Sequence, residues 1–202
     1  EFEFVNFKGY TIDKNDNTTE ISSYLKWKHK AGPLVFEPGV RLQYYQSLNE
    51  VSLEPRLGLK YNISDKLRFK AAGGLYSQNL LSTVNERDIV NLFVGFLSGP
   101  EEQIFELNGN VPAKHRLQKS THAVAGFEVD VTKIMDLNIE GYYKKFNQLI
   151  ALNRNKEQPV DPDFTTEEGD AYGIDLTIKI EAKRAYLWGA YSLGFVNRFD
   201  GE

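Results

Sequence analysis

The sequence predicts an all-β chain: about nine antiparallel strands in up-and-down order. Three observations predict it. Apolar and polar residues alternate with a period of two in segment after segment, several of them about ten residues long. Tight turns alternate along the chain with longer connections. Aromatic residues, 13% of the chain, gather near the segment ends. Two architectures share these features, a transmembrane β-barrel and a soluble β-sandwich.

The first expected strand, residues 1–10, carries Phe2, Phe4 and Tyr10. The second, residues 21–30, sets Ile21, Leu25 and Trp27 on one face against Tyr24, Lys26, Lys28 and Lys30. Residues 34–45 set Leu34, Phe36, Val40, Leu42 and Tyr44 against Glu37, Arg41 and Gln43. Residues 51–61 set Val51, Leu53, Leu57, Leu59 and Tyr61 against Glu54, Arg56 and Lys60. Residues 67–77 set Leu67, Phe69, Ala71 and Leu75 against Arg68, Lys70 and Tyr76. The same grammar resumes at residues 121–131, where Ala123, Ala125, Phe127, Val129 and Val131 oppose His122, Glu128 and Asp130. It continues at 136–146, 171–181 and 185–198, with rows such as Tyr172, Ile174, Leu176, Ile178 and Ile180 against Asp175, Thr177, Lys179 and Glu181.

The connections differ by end of the sheet. Residues 31–33, 63–66, 132–134 and 182–184 read as tight turns, rich in turn formers or Lys. The alternate connections, 11–19, 46–50, 78–118 and 149–170, are mostly longer. Outer-membrane barrels have this asymmetry, with short periplasmic turns and long extracellular loops. Within 78–118, Thr83 and Glu86 have capping-box spacing ahead of Ile89, Val90, Phe93, Val94 and Leu97 at near-helical intervals. A short helix is expected over residues 84–97.

Composition narrows the functional classes. With no Cys, disulfide frameworks, thiol catalysis and Cys-based metal sites are excluded. A net charge of −4 argues against nucleic acid, whose binding needs a basic surface. No apolar run approaches the roughly 20 residues of a spanning helix. The mean hydropathy of −0.44 therefore excludes helical spans only. No signal peptide is read at Glu1-Phe2-Glu3-Phe4, which has neither a basic nor an apolar leader region.

Strand length and aromatic placement favour the barrel over the sandwich. Ten residues exceed the usual five or six and match what a tilted strand needs to cross a bilayer. Tyr10, Trp27, Tyr44, Tyr45, Tyr61, Tyr76, Tyr142, Tyr143 and Tyr172 are placed as interfacial girdles are. Pro38 and Pro55 cut across paired strands. A bulge or a locally open ladder accounts for either.

A search for catalytic or metal chemistry returns little. His29, His115 and His122 lack the paired spacing of a metal site. His29 reads as interfacial beside Trp27, His115 as a loop residue, and His122 as starting a strand toward the lumen. No Gly-x-Ser-x-Gly elbow is present, and Gly73-Gly74 sits inside a strand rather than before a helix. Asp161, Asp163, Glu167, Glu168 and Asp170 read as a solvated acidic loop without EF-hand spacing. No enzyme, metal or cofactor is expected.

The chain also resembles the barrel region of TonB-dependent outer-membrane receptors, most closely the Bacteroidetes type. The resemblance is carried by Leu53-Glu54-Pro55-Arg56-Leu57-Gly58-Leu59-Lys60-Tyr61 with Ser64-Asp65-Lys66-Leu67, and by Val90-Asn91-Leu92-Phe93-Val94-Gly95-Phe96. Asn138-Ile139-Glu140-Gly141-Tyr142-Tyr143-Lys144, Gly169-Asp170-Ala171-Tyr172-Gly173-Ile174-Asp175 and Trp188-Gly189-Ala190-Tyr191 continue it in order. The family implies a 22-stranded barrel around a plug. Nine strands cannot close such a barrel, so residues 1–202 are expected to be a barrel-domain fragment without the plug. The resemblance implies a bacterial outer-membrane receptor that binds an extracellular nutrient and imports it with TonB-derived energy. Its implied partners are outer-membrane lipid, the TonB complex through the missing plug, the nutrient, and a surface lipoprotein. Parity and position near the loop ends make Tyr76, His122, Lys144 and Arg198 the candidate ligand-binding residues. A soluble carbohydrate- or ligand-binding sandwich is the first alternative, and an outer-membrane lipase-type enzyme the second.

Overall fold

The computed structural model describes residues 2–5, 11–14, 18–82, 96–97, 99–101, 104–105, 112–153, 157–158 and 160–199. Every regular element among them is a strand. In chain order these are β1 (Phe2–Val5), β2 (Thr11–Lys14), β3 (Glu20–Lys26), β4 (His29–Ala31), β5 (Leu34–Tyr45), β6 (Glu50–Asn62) and β7 (Leu67–Gln78). There follow β8 (Leu81–Ser82), β9 (Phe96–Leu97), β10 (Gln118–Thr132), β11 (Met135–Leu152), β12 (Phe164–Ala182) and β13 (Ala185–Phe199). One antiparallel sheet of nine strands runs β13-β12-β11-β10-β7-β6-β5-β3, with β4 also on β5. The sheet is open, and β13 is exposed along its whole length.

The expected nine strands and the observed nine differ in two places. Of the expected strand over residues 1–10, the described part is β1, which among the described residues pairs with β2 and not with the large sheet, and β2 occupies Thr11–Lys14 where a loop was expected. The expected strand over 21–30 is split into β3 and β4, both on β5. Its break lies opposite Pro38, which has no N–H to donate, and Trp27 N–H still reaches the Pro38 carbonyl at 3.0 Å. The ladder is thus locally open there, not bulged.

The tight turns form as read. Gly32 turns β4 into β5 with φ +58°, a left-handed conformation that costs glycine nothing. The Ser64 hydroxyl accepts from the N–H groups of Lys66 and Leu67 between β6 and β7. At the other end the loops are shorter than expected because the strands are longer. β11 and β12 extend to 18 and 19 residues, so their connection is residues 153–163 rather than 149–170. The added rungs, such as Ile150 with Thr166 and Ala151 with Thr165, pair polar Thr residues that break apolar alternation but suit a ladder. The helix expected over 84–97 lies outside the described residues except at its end. There Phe96 and Leu97 form β9 against β8 instead.

The two faces of the sheet are chemically opposite. Cross-strand register puts Leu57, Gly73, Ala123, Tyr143, Tyr172 and Phe195 in one row, and Tyr61, Phe69, Phe127, Ile139, Leu176 and Tyr191 in another. This apolar face is open: Leu25 is 72% exposed and Leu187 61%. The buried polar residues Gln43, Ser52 and Glu54 are on the opposite side. That side holds an ion-pair network. Lys26 and Lys28 both reach Glu37, at 2.5 and 2.9 Å, and Arg68 reaches Glu128 at 2.9 Å and also Asp130. A sandwich would cover the apolar face with a second sheet, and among the described residues nothing covers it. An exposed apolar expanse of this size marks a lipid or partner surface.

The pleat also sorts the aromatic residues. Trp27, Tyr61, Tyr143 and Tyr172 stand on the apolar side and are exposed, as girdle residues are. Tyr45, Tyr76 and Tyr142 are corrections to the expected girdle, because their parity turns them to the polar side. Tyr45 is fully buried there and its hydroxyl bonds Ser77 at 2.9 Å. Tyr10 lies outside the described residues.

At the long-loop end two small cores hold the connections to the sheet. Tyr45, Leu48 and Leu117 form one, and Leu81, Ile104, Ala113, Ile150 and Phe164 the other. Arg116 ties the loop base down through Glu50 at 3.2 Å and the Leu48 carbonyl at 2.5 Å. Buried Asn79 accepts from Gly99 N–H at 2.9 Å.

The inverted faces predict an asymmetric response to charge. In the full-length protein, Leu176→Arg on the apolar face should cost about 2–4 kcal/mol of unfolding free energy in bilayers. The neighbouring Thr177→Arg, on the polar face, should cost less than about 1 kcal/mol. Equal losses in a denaturant titration would contradict this assignment of faces.

Candidate functional site

The polar wall is organised by one row of register partners that crosses the sheet. It reads Lys26, Gly39, Arg56, Gly74, His122, Lys144, Ala171 and Val196. The row contains no carboxylate. Gly74 has no side chain because a Cβ there would meet the Arg56 side chain and the Pro55 carbonyl, both at 2.9 Å. Arg56 can therefore lie across β7, and its guanidinium sits 4.5 Å from the Tyr76 ring centre. Tyr76 in turn stacks on His122, with ring centres 4.4 Å apart and planes 26° apart. The His122 ring nitrogen Nε2 is 3.0 Å from the Ser120 hydroxyl. Lys144 is the register partner of His122 on β11, and its ammonium lies 5.5 Å from the Tyr142 ring centre. Tyr142 reaches across β12 and β13, where a side chain on Gly173 or Gly194 would meet its hydroxyl.

Arg56 is placed by its own strand. Pro55 carries no N–H, and the β6–β7 ladder stops at the next residue, Arg56 opposite Gly74. Beyond that point the Glu54 carboxylate replaces the ladder. Its Oε1 accepts from the Ser77 backbone N–H at 2.9 Å and from the Ser77 hydroxyl at 2.6 Å. Its Oε2 accepts from Arg56 at 2.8 Å. Glu54 is 1% exposed, so these bonds stabilise a charge that water does not reach. The second strand proline is thus also a locally open ladder, closed by a side chain.

Beside the row lies a cavity of about 640 Å³. Gly39, Gly58 and Ala72 contribute to its floor, and Tyr24, Arg41, Arg56 and Tyr76 line it from the polar side. A larger hollow of about 1140 Å³ lies mainly on the apolar face, over Ala71, Gly73, Ala123, Ala125 and Gly141. Most of its lining residues are those the alternation turns outward, so it is mainly a lipid-side depression with few polar groups to orient a solute.

Three of the four expected site residues come together here. Tyr76 and His122 are in direct contact, and Lys144 is one strand further. Arg198 is not with them. It lies on β13, three strands from His122 and thus roughly 14 Å across the ladder, and its guanidinium pairs with Glu167. Sequence reading missed Arg56, Arg41 and Glu54 as site residues. A proline flanked by Glu54 and Arg56 inside a strand was the available signal. The acidic residues near 161–170 have structural partners: Glu167 holds Arg198, Asp170 accepts from Asn197, and Asp161 caps the N–H groups of Glu157 and Gln158. Among the described residues no group of acidic or His side chains is arranged to hold a metal. His29 stacks on Trp27 at 5.3 Å. His115 stays at the loop base, 4.0 Å from Glu50, where burial and then Lys119 hold its imidazole below the ordinary value.

Comparison with known families decides which larger structure this wall belongs to. The model of the TonB dependent receptor-like β-barrel matches residues 3–201. The chain belongs to that family. Among solved structures, the alcaligin outer membrane receptor FauA from Bordetella pertussis superposes with a TM-score of 0.57 at 15% identity. The match covers 92% of this chain and 31% of that one, so the chain spans about a third of the length of that receptor. No curated protein matches. As a TonB-dependent receptor barrel the chain is a protein of the bacterial outer membrane. Its apolar face meets lipid and its polar wall faces the lumen. The row from Arg56 to Lys144 lies on the lumen wall toward the extracellular, long-loop end.

Glu54 should therefore matter more than an ordinary strand residue. Glu54→Ala leaves the Ser77 N–H and the Arg56 guanidinium without their acceptor, at a cost of about 2 kcal/mol. Glu54→Gln keeps an acceptor for Ser77 and should lose roughly half as much. Denaturant unfolding of the full-length receptor reads both, and an alanine variant as stable as the wild type would refute this role.

Proposed function

We propose that the chain is part of an active-transport receptor that binds an extracellular nutrient and imports it with TonB-derived energy. The family supplies the receptor class. The observation that supports ligand capture by this chain is the lumen-facing cavity beside the carboxylate-free row of Arg56, His122 and Lys144, with Tyr76 stacked on His122. A lumen wall built only to close a barrel pairs its charges, as Lys28, Arg68 and Lys70 do nearer the periplasmic turns. Among the described residues Lys144 and Arg41 have no carboxylate partner. Tyr76, His122 and Lys144 are the ligand-contacting residues in this reading. Arg198 supports the wall through Glu167 and contributes to binding only if Glu167 releases it.

The open sheet and the 31% coverage of FauA support residues 1–202 as one part of a larger barrel domain that also holds a plug. In this reading the plug carries the contact to the TonB complex, and a surface lipoprotein of the Bacteroidetes type covers the long-loop end. Catalysis has no place in it. The sandwich alternative requires a covered apolar face, and the exposed Leu25, Leu187 and Tyr191 weigh against it.

The test is uptake by whole cells. Loss of this receptor and loss of TonB should each abolish growth on the same limiting nutrient, in a panel of iron chelates, cobalamin, glycans and peptides. Uptake that survives loss of TonB, or recovery of the full-length protein as a detergent-free soluble monomer, would overturn the proposal.

A further inference from the structure

We infer that the lumen cavity is an anion subsite: it takes a carboxylate-bearing ligand, with Tyr24 and Tyr76 among the lining residues. The inference rests on the receptor reading above and adds the chemical class of the ligand. Four side chains on four strands carry it: Tyr24 on β3, Arg41 on β5, Arg56 on β6 and Tyr76 on β7.

Charge is the first argument. The ionic groups lining or bonded at the cavity are Lys26, Lys28, Arg41, Arg56, Glu37 and Glu54. Glu37 is bonded to both lysines and Glu54 to Arg56. Among the described residues no carboxylate lies within ion-pair distance of Arg41, and its register neighbours are Tyr24 and Glu54. The four cations exceed the two carboxylates, so the cavity carries an uncompensated positive charge. Beside low-dielectric walls such a field is stronger than on an open surface. Charge placed there without a partner in the protein is stabilised by a partner from outside.

Hydrogen-bonding capacity is the second argument. Arg56 spends one terminal nitrogen on Glu54, and its Nε is buried with no partner. Arg41 brings a whole guanidinium fork, whose geometry fits a carboxylate in bidentate fashion. Shape is the third. Gly39, Gly58 and Ala72 keep the floor flat, and Tyr24 and Tyr76 stand as rings beside it. A planar acid fits such a slot better than a branched neutral sugar, which would need acceptors and donors for many hydroxyls. Volume is the fourth: about 640 Å³ suits a small organic acid or one acidic arm of a larger ligand.

The simplest probe is an aromatic carboxylate. Binding of 4-fluorobenzoate to the full-length receptor in detergent is read by 19F line broadening, with neutral 4-fluorobenzamide as comparator. The acid should bind at least about tenfold more tightly than the amide. Arg41→Met, which breaks no ion pair, should weaken the acid by about fivefold or more and leave the amide unchanged. Lys60→Met removes a lumen cation outside this cavity and should leave both unchanged. Arg56→Met combined with Glu54→Gln tests the second guanidinium without leaving a buried lone carboxylate, and should also weaken the acid. Equal binding of acid and amide overturns the inference, as does a Lys60 effect as large as that of Arg41, or no binding of either probe to folded receptor. Each of these results leaves TonB-dependent uptake standing as a separate measurement, so the failure of the subsite and the failure of the receptor reading are distinguishable.

Discussion

Pro55 has no N–H, and the Glu54 carboxylate takes over where the β6–β7 ladder stops. The rest of the lumen wall follows from that substitution. A carboxylate bonded to the Ser77 N–H and hydroxyl is fixed on β7. Being fixed, it holds Arg56 from the adjacent turn of the pleat. Arg56 then lies over Tyr76 because Gly74 leaves it room, and Tyr76 lies over His122. One missing hydrogen bond thus becomes a contiguous stack across β6, β7 and β10. An ordinary residue at 55 would complete the ladder and remove the reason for a buried carboxylate.

The outward face obeys a different physics. No water competes there, so backbone groups must be satisfied within the ladder and side chains need only be apolar. Glycine and alanine sit comfortably among Leu, Ile and Tyr because lipid chains adapt to the relief. The inward face has to satisfy charges, and it does so with register partners one or two strands away, as in Arg68 with Glu128 and Asp130. Toward the loops this pairing thins. Among the described residues no carboxylate pairs with Arg41 or Lys144, which face the lumen.

The long-loop end is packed rather than loose at its base. Leu48 and Leu117 close over Tyr45, and Phe164 and Ile150 receive Ile104 and Leu81. The Thr166 hydroxyl reaches the Phe105 carbonyl at 2.7 Å, which ties the long connection to the extended β12. These contacts place the rim of the lumen above the Arg56–His122 stack, so a solute coming from outside meets the loop cores first and the cationic row next.

Strand positions, the identity of the two faces and the unequal ends were legible from the sequence alone, because a pleat imposes its period on residue choice. Tyr76, His122 and Lys144 could be assigned to the inner face by parity. Their meeting could not, because parity says which side a residue takes and register says which residues are neighbours. His122 stands opposite Lys144 and Gly74 only through pairings between β7, β10 and β11, and β7 and β10 are separated by the long connection. Register also separated Arg198 from the others, and packing against Leu48 and Leu117 made Tyr45 a core residue. The ends of β11 and β12 were hidden because ladder bonds, not apolar alternation, extend them past the lipid. Composition could state that the inner face is charged. Only the tertiary structure decided which charges cancel, since an ion pair depends on distance across strands that sequence spacing does not encode.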